Sequence, residues 1–153
     1  VKEILLTKGF IALVDDEDYA KVMTRRWHAL VKPHTVYAQN RQLHTSLHRF
    51  ILGAPVGIDV DHKDHNGLHC WRKNLRLAKR VQNLQNSRKR KSNASGFKGV
   101  SLHGSGLWRA RIYLQGKQVH LGYFSLAKSA AHAYDAAAKK FFGAFACTNK
   151  EMI

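Results

Sequence analysis

Acidic residues are scarce in this chain of 153 residues: Asp and Glu number 10 against 26 Lys and Arg, for a formal charge of +16. A surface so one-signed favours a polyanionic partner, and nucleic acid is the leading candidate. Cysteine is nearly absent as well. Cys70 and Cys147 stand 77 positions apart with no CxxC beside either, which argues against a disulfide framework and a thiolate zinc site and leaves two reduced thiols. No window reaches the roughly 18 apolar residues of a membrane-spanning helix, and Val1 to Thr7 lacks the charged and apolar regions of a signal peptide. A soluble, intracellular (cytoplasmic) protein with no membrane partner is expected. What the chain does have is 44% hydrophobic positions, enough for one medium domain or two small ones and too many for a disordered tail.

The charge is unevenly spread: net +2 over residues 1–60, +8 over 61–95 and +6 over 96–153. It is densest in Asn86-Ser-Arg-Lys-Arg-Lys-Ser-Asn-Ala-Ser95, a run without one large apolar side chain, so no burial offsets its ordering entropy. The run reads as a linker, either simply solvated or following phosphates through Arg88, Lys89, Arg90 and Lys91. Before it, Glu3 to Thr7, Phe10 to Val14 and Val36 to Ala38 read as short antiparallel strands bounded by turn residues. Asp15 or Asp16 is placed to cap a brief helix through Met23, and Thr45 or Ser46 another carrying Leu47, Phe50, Ile51 and Leu52. After it, Phe97 to His103, Leu107 to Leu114 and Gln118 to Phe124 form a three-strand meander. Ser125 is the expected N-cap of a closing helix with apolar positions Leu126, Ala130, Tyr134, Ala137, Ala138 and Phe141. Such a sheet covered on one face leaves alternate side chains of the other free to touch something.

The informative segment is Asp59-Val-Asp-His-Lys-Asp-His-Asn66, followed by Lys73-Asn-Leu-Arg-Leu77 and Arg80-Val-Gln-Asn83. Asn74 lies 12 residues after His62 and Asn83 lies 9 after Asn74. A strand through Val60, a second through Leu75 to Leu77 and a helix over Lys79 to Asn86 would gather Asp61, His62, Asn74 and Asn83. Asp61 and the Asn83 carbonyl are hard oxygen donors suited to one divalent cation, Mg²⁺ or Mn²⁺. His62 suits proton abstraction from water near neutral pH, and Asn74 can fix its tautomer and orientation by a hydrogen bond. Arg72, Lys73, Arg76, Lys79 and Arg80 surround these residues in sequence, and phosphate contacts are expected of several, Arg76 and Arg80 among them.

That series resembles the HNH endonuclease motif, the beta-beta-alpha metal finger, in its phage homing-endonuclease branch. The resemblance extends through Leu47-His-Arg-Phe-Ile-Leu-Gly-Ala-Pro55, Val14 to Tyr19 and Trp27-His28. It implies an endonuclease module over residues 1–90, with Asp61 and Asn83 on a single catalytic metal, His62 as general base and Asn74 positioning it. It also implies hydrolysis of phosphodiester bonds in double-stranded DNA, nicking by a monomer, a double-strand break needing a dimer or sequential nicks.

The end of the chain is similar to a second family. Ser95-Gly-Phe-Lys-Gly-Val-Ser101, Trp108-Arg-Ala-Arg-Ile112, His120-Leu-Gly-Tyr-Phe124, Ala130 to Ala137 and Phe142-Gly-Ala-Phe-Ala146 with Asn149 resemble the Apetala-two or ethylene-response-factor DNA-binding domain. That implies a linker over 91–95, basic from about 86, then a reading domain over 96–153 whose open sheet face lies in the major groove. Alternation puts Ala110, Ile112, Val119 and Leu121 on one face and Arg109, Arg111, Tyr113, Gln118 and His120 on the other. Carried over by position, Lys98, Gly99, Ser101 and His103 touch DNA from the first strand and its turn, Arg111 and Tyr113 from the second, and Gln118 and His120 from the third. Arg109 joins them as a guanine or phosphate contact.

The expected fold class is α+β: N-terminal antiparallel strands with a beta-beta-alpha module, then a three-stranded antiparallel sheet on one helix. Two other functions fit the same residues: a DNA-binding regulator with an inactive HNH fold, and a nuclease for RNA or branched DNA. His65, His69 and Cys70 read as a polar loop, with soft zinc ligation as the alternative lacking a fourth ligand. Trp71 reads as packing, with a base contact as its alternative.

Overall fold

The computed structural model describes residues 1–152 and shows an α+β chain of several small antiparallel sheets and four α-helices. It divides into two compact units, Val1–Asn83 and Leu84–Ile153. Among the described residues, no helix is long and apolar enough to cross a membrane.

In the first unit, β1 (Lys2–Leu5) pairs with β2 (Ile11–Val14), whose alternation buries Ala12 and Val14. Helix α1 (Asp16–Met23) starts from Asp15, and three acidic residues in its first turn suit the helix dipole. A strand the sequence pattern did not announce, β3 (His28–Val31), pairs with β4 (Val36–Asn40), which carries the two-residue β5 (Thr45–Ser46) on its other edge. Helix α2 (Leu47–Leu52) ends at Gly53 in the left-handed conformation, φ 58°, where glycine carries no Cβ penalty. Then come β6 (Asp59–His62), β7 (Leu75–Ala78) and α3 (Arg80–Gln85), the strand, strand, helix order expected for the motif. One core of Ile4, Val14, Val22, Trp27, Leu47, Ile51, Val60, Cys70 and Leu75 joins all three sheets. The loop leading to β7 is tied alongside β2 by Leu13 N to Leu68 O at 2.8 Å and Cys70 N to Leu13 O at 2.7 Å.

In the second unit, residues 86–99 form turns without helix or strand. The sheet is β8 (Val100–Leu102), β9 (Trp108–Leu114) and β10 (Lys117–Phe124), with β9 central. Helix α4 (Ala127–Phe142) lies against it through Ala130, Ala131, Tyr134, Ala137 and Ala138. Two details differ from the sequence expectation. The N-cap is Leu126 rather than Ser125, and Leu126 and Phe141, expected on the apolar stripe, are 63% and 50% exposed. The stripe is rotated toward Ala131 and Asp135, because the small alanines admit the sheet and a polar latch claims Asp135. In that latch Asp135 Oδ1 accepts from Asn149 N at 2.8 Å and Asn149 Nδ2 at 2.9 Å, while Asn149 Oδ1 accepts from Lys98 N at 2.7 Å.

Candidate active site and nucleic-acid interface

Side chains alternate along β6, so Asp59 and Asp61 share one face and Val60 and His62 the other. Asn83 on α3 donates from Nδ2 to Asp59 Oδ2 at 2.9 Å, which holds the amide on the Asp59 and Asp61 face and turns its Oδ1 away from that carboxylate. This bond is the main cause that lowers the Asp59 pKa, with Arg80 adding to it. Asp61 is 6% exposed, and both Nε and Nη2 of Arg76, its cross-strand neighbour, meet its Oδ2 at 2.7 Å. Arg76, of which a phosphate contact was expected, is thus engaged with Asp61, its side chain only 14% exposed. Arg80 keeps an exposed side chain, 76%, with a long 3.4 Å approach to Asp59.

His62 enters the core side. Its ring lies edge-on to His48 with centroids 4.8 Å apart, 5.9 Å from Tyr37, and its Nε2 is 3.9 Å from Cys70 Sγ. Burial pushes the His62 pKa down to about 4 against the pull of Asp64 and Asp61, so the imidazole is neutral at pH 7. His48 behind it is pushed to about 3 by burial, with His62 and Arg49 adding to the effect, and its Nδ1 is buried without a hydrogen-bond partner. Asn74, 5% exposed, acts on the loop rather than on the ring. Its Nδ2 donates to Asp64 Oδ1 at 2.9 Å and His69 O at 2.8 Å, and its Oδ1 accepts from Asp64 N at 3.1 Å. The expected bond from Asn74 to the imidazole is thus replaced by a brace on the turn that follows His62.

The other loop residues have structural partners. His69 bonds Asp64 and Asn66 and stacks on Trp71 with centroids 4.6 Å apart. Cys70 is fully buried and its thiol is pushed up to about 12 by burial, so it stays protonated. His65 occupies a left-handed turn position, φ 65°. Among the described residues, the one group of clustered acidic, His or Cys ligand atoms is Asp15, Glu17 and Asp18. Arg72 neutralises it through Asp18 at 2.7 and 2.8 Å and Glu17 at 3.0 Å, with its N–H on Asp15 at 2.7 Å. The zinc alternative at His65, His69 and Cys70 therefore has no cluster to stand on among the described residues, and Arg72 is a clamp on α1.

On the C-terminal sheet, register puts Arg109, Arg111, Tyr113, Gln118 and His120 on the face away from α4, along with Ser101 opposite Arg109. Gln118 Oε1 accepts from Tyr113 OH at 2.9 Å and Arg111 Nη1 at 3.1 Å, which props both side chains. Ser101 Oγ and Arg109 Nε are buried without hydrogen-bond partners. A register shift between His120 and Gly122 turns Tyr123 onto this open face and Phe124 into the core, the reverse of strict alternation. Tyr123 then sits between His120 at 4.5 Å and His103 at 4.8 Å. Two positions expected to touch DNA have structural tasks as well. The Lys98 ammonium donates to the carbonyls of Gln85 at 2.8 Å and Ser87 at 2.5 Å. At Gly99, φ 75°, a Cβ would collide with the Tyr134 ring and crowd the Arg111 carbonyl. Arg88, Lys89, Arg90 and Lys91 are exposed.

No family model matches the chain, and no solved structure matches it. An uncharacterised HNH endonuclease of Acanthamoeba polyphaga mimivirus is 31% identical over 147 residues, 94% of this chain and 76% of that protein. The chain belongs to the HNH endonuclease family. Partial likeness is found to APETALA2-like protein 2 of Oryza sativa, 47% identical over 60 residues, and to Protein 3.8 of Escherichia phage T7, 42% over 65 residues. These cover 38% and 42% of this chain, but only 14% of the rice protein and 54% of the phage protein.

HNH endonucleases generally use a divalent cation; of the donors expected from the sequence, Asp61 offers a hard carboxylate with Arg76 on one oxygen, and Asn83 an amide oxygen whose nitrogen is already committed to Asp59. Asp59 was not singled out from the sequence, although its i−2 spacing from Asp61 on one strand face was the available signal. Tyr123 was also missed, and Gly122 in the strand was its signal. His48 had none, because only the tertiary fold carries α2 to β6.

Proposed function

We propose that this chain is a metal-dependent DNA endonuclease that hydrolyses one phosphodiester bond at a time, nicking one strand of a duplex. The observation that supports the reading is the strand, strand, helix order of β6, β7 and α3, with Asn83 bonded to Asp59 on the face that Asp61 shares and the neutral His62 imidazole next to Asp61 in the chain, on the opposite, core side of β6. Asp61 and Asn83 would hold one Mg²⁺ or Mn²⁺. When bound, that cation offsets negative charge gathering on the phosphate and the leaving 3′ oxygen. His62 takes the proton of the attacking water, for which its neutral state at pH 7 leaves a nitrogen lone pair. Asn74 is a positioning residue: by bracing Asp64 and His69 it holds the turn through which His62 is presented. The open sheet face, with Arg109, Arg111, Tyr123 and the two flanking histidines, receives the duplex, and the exposed 88–91 run follows phosphates. The 31% identity to a mimivirus HNH endonuclease and the partial likeness to a plant APETALA2-like protein support the two halves of this reading.

A second reading rests on Arg76, whose guanidinium already occupies Asp61 Oδ2 twice: a DNA-binding regulator with a silent nuclease fold. The two separate in one experiment. Supercoiled plasmid is incubated with the protein in Mg²⁺ or Mn²⁺, with EDTA and His62→Ala controls, while duplex binding is measured on the same samples. Metal-dependent nicking that vanishes in the variant while binding persists sustains the endonuclease. Binding without cleavage on a randomised-site library selects the regulator.

A further inference from the structure

Within the first unit a cavity of about 640 Å³ opens between the end of α1 and the turn joining β4 to β5, lined by Arg25, Arg26 and His28 on one side and Arg41 and Gln42 on the other. Its walls are fixed from beneath. Trp27, 6% exposed, anchors the first turn by donating from Nε1 to Val22 O at 2.9 Å. Asn40, 3% exposed, donates to Arg26 O at 2.9 Å and accepts from Leu43 N at 2.7 Å, so one buried amide ties both arginine-bearing turns together. No carboxylate lines the groove. The acidic residues of α1 stand at its opposite end, about 12 Å of helix away by its eight residues, where Arg72 holds Glu17 and Asp18 and the Val1 ammonium holds Asp16. Among the described residues, none of Arg25, Arg26 and Arg41 forms a salt bridge with a carboxylate.

Cations at a helix C-terminus favour the dipole, which would account for Arg25 and Arg26. It does not account for Arg41, which the fold brings to the same groove from a separate turn, against the mutual repulsion of three guanidiniums. An anion that bridges the two turns removes that repulsion, and guanidiniums match phosphate oxygens in geometry as well as charge.

We propose that this groove is a second phosphate-backbone site of the nuclease unit, taking two or three consecutive phosphodiesters of the duplex outside the cleavage site. The assignment rests on the DNA-endonuclease reading above and adds a binding region that neither the motif nor the sheet face supplies. Its role is to hold the strand, not to choose sequence, because guanidinium bonds to phosphate carry no base information.

The test is duplex binding by the full chain, measured by fluorescence anisotropy over a range of salt. Wild type is compared with the triple variant Arg25→Gln, Arg26→Gln, Arg41→Gln, and with Arg41→Gln alone, which alters one exposed turn and leaves the helix end intact. The slope of log affinity against log salt is expected to flatten by about 0.9 for each phosphate no longer neutralised, so by about 2 to 3 in the triple variant and about 0.9 in the single one. The three Arg→Lys replacements, which keep the charge, should restore most of the slope. A triple variant that melts at a lower temperature but keeps the full slope would assign the arginines to helix capping and overturn the proposal. If the triple variant does not fold, an unchanged slope in Arg41→Gln does the same. Plasmid nicking by wild type, run in parallel, reports the endonuclease reading separately: a protein that binds through the groove but never cuts loses that reading and keeps this one.

Discussion

The two units put polar groups to opposite uses. In the first, Asp18, Asn40, His48, Asp61, His62 and Asn74 are all at most 8% exposed: arginines hold the two carboxylates, the two amides bridge turns, and the two imidazoles pack ring against ring. In the second, the buried polar residues Asp135 and Asn149 fasten chain ends, while the arginines and aromatics lie on an open sheet face backed by alanines. Chemistry on a phosphodiester needs groups preorganised in a site poor in water, where their fields are strong. Holding a duplex needs cations that reach out and can exchange their counterions. The contrast teaches that a net charge of +16 says little about which cations are available. Arg72, Arg76 and Lys98 are committed to partners within their own units.

The largest effect should fall on catalysis alone. His62→Ala is expected to slow plasmid nicking by about 10²- to 10⁴-fold, the usual contribution of a general base, with duplex binding by gel shift unchanged. Equal losses in both assays would erase the division of labour between the units. Next, Gly99→Ala should destabilise the second unit by about 3 kcal/mol, from overpacking on Tyr134 plus a strained positive φ. Residue-resolved hydrogen exchange should show the loss confined to residues after 84; spread into β1 to β7 would mean that the units fold as one.

Acid should act the other way round. The His48 pKa lies near 3 in the folded chain against an ordinary 6.5. Between those values the unfolded chain takes up a proton that the folded chain refuses, so the stability is complete above pH 6.5 and is lost as pH falls. About 2 kcal/mol should be gone by pH 5 on account of His48 and a similar amount on account of His62, which burial holds near 4, so His48→Phe should reduce that dependence by about half. The smallest expected effect is on the open face. Tyr123→Ala should weaken duplex binding by about 1 kcal/mol, because the ring no longer packs on the nucleic acid, and leave the melting temperature unchanged. A drop in melting temperature with no change in binding would return Tyr123 to a packing role.

Much of the fold was legible from the chain. Alternation marked β1, β2, β9 and the paired strands β6 and β7, and the spacing of Asp61, His62, Asn74 and Asn83 marked the hairpin and helix that carry them. Legibility failed where a single residue reset the local pattern. The extra residue at the bulge beside Gly122 exchanged Tyr123 and Phe124 between faces, and Gly99 shortened the first strand of the meander. It failed again where a side chain chose a distant partner: Asn83 found Asp59, Asn74 braced Asp64 and His69, and Arg72 reached back 54 positions to Asp18.

By itself, then, the sequence determined the excess of cations, the α+β pattern, the meander and the motif spacing, because periodicity, turn chemistry and charge act between neighbours in the chain. Only the tertiary structure decided which carboxylates and amides share a face, which histidine is held neutral against another, and which arginines from separate turns line the groove by Asn40. Those choices depend on loop closures tens of residues long, where burial, and not adjacency, sets each side chain's partner.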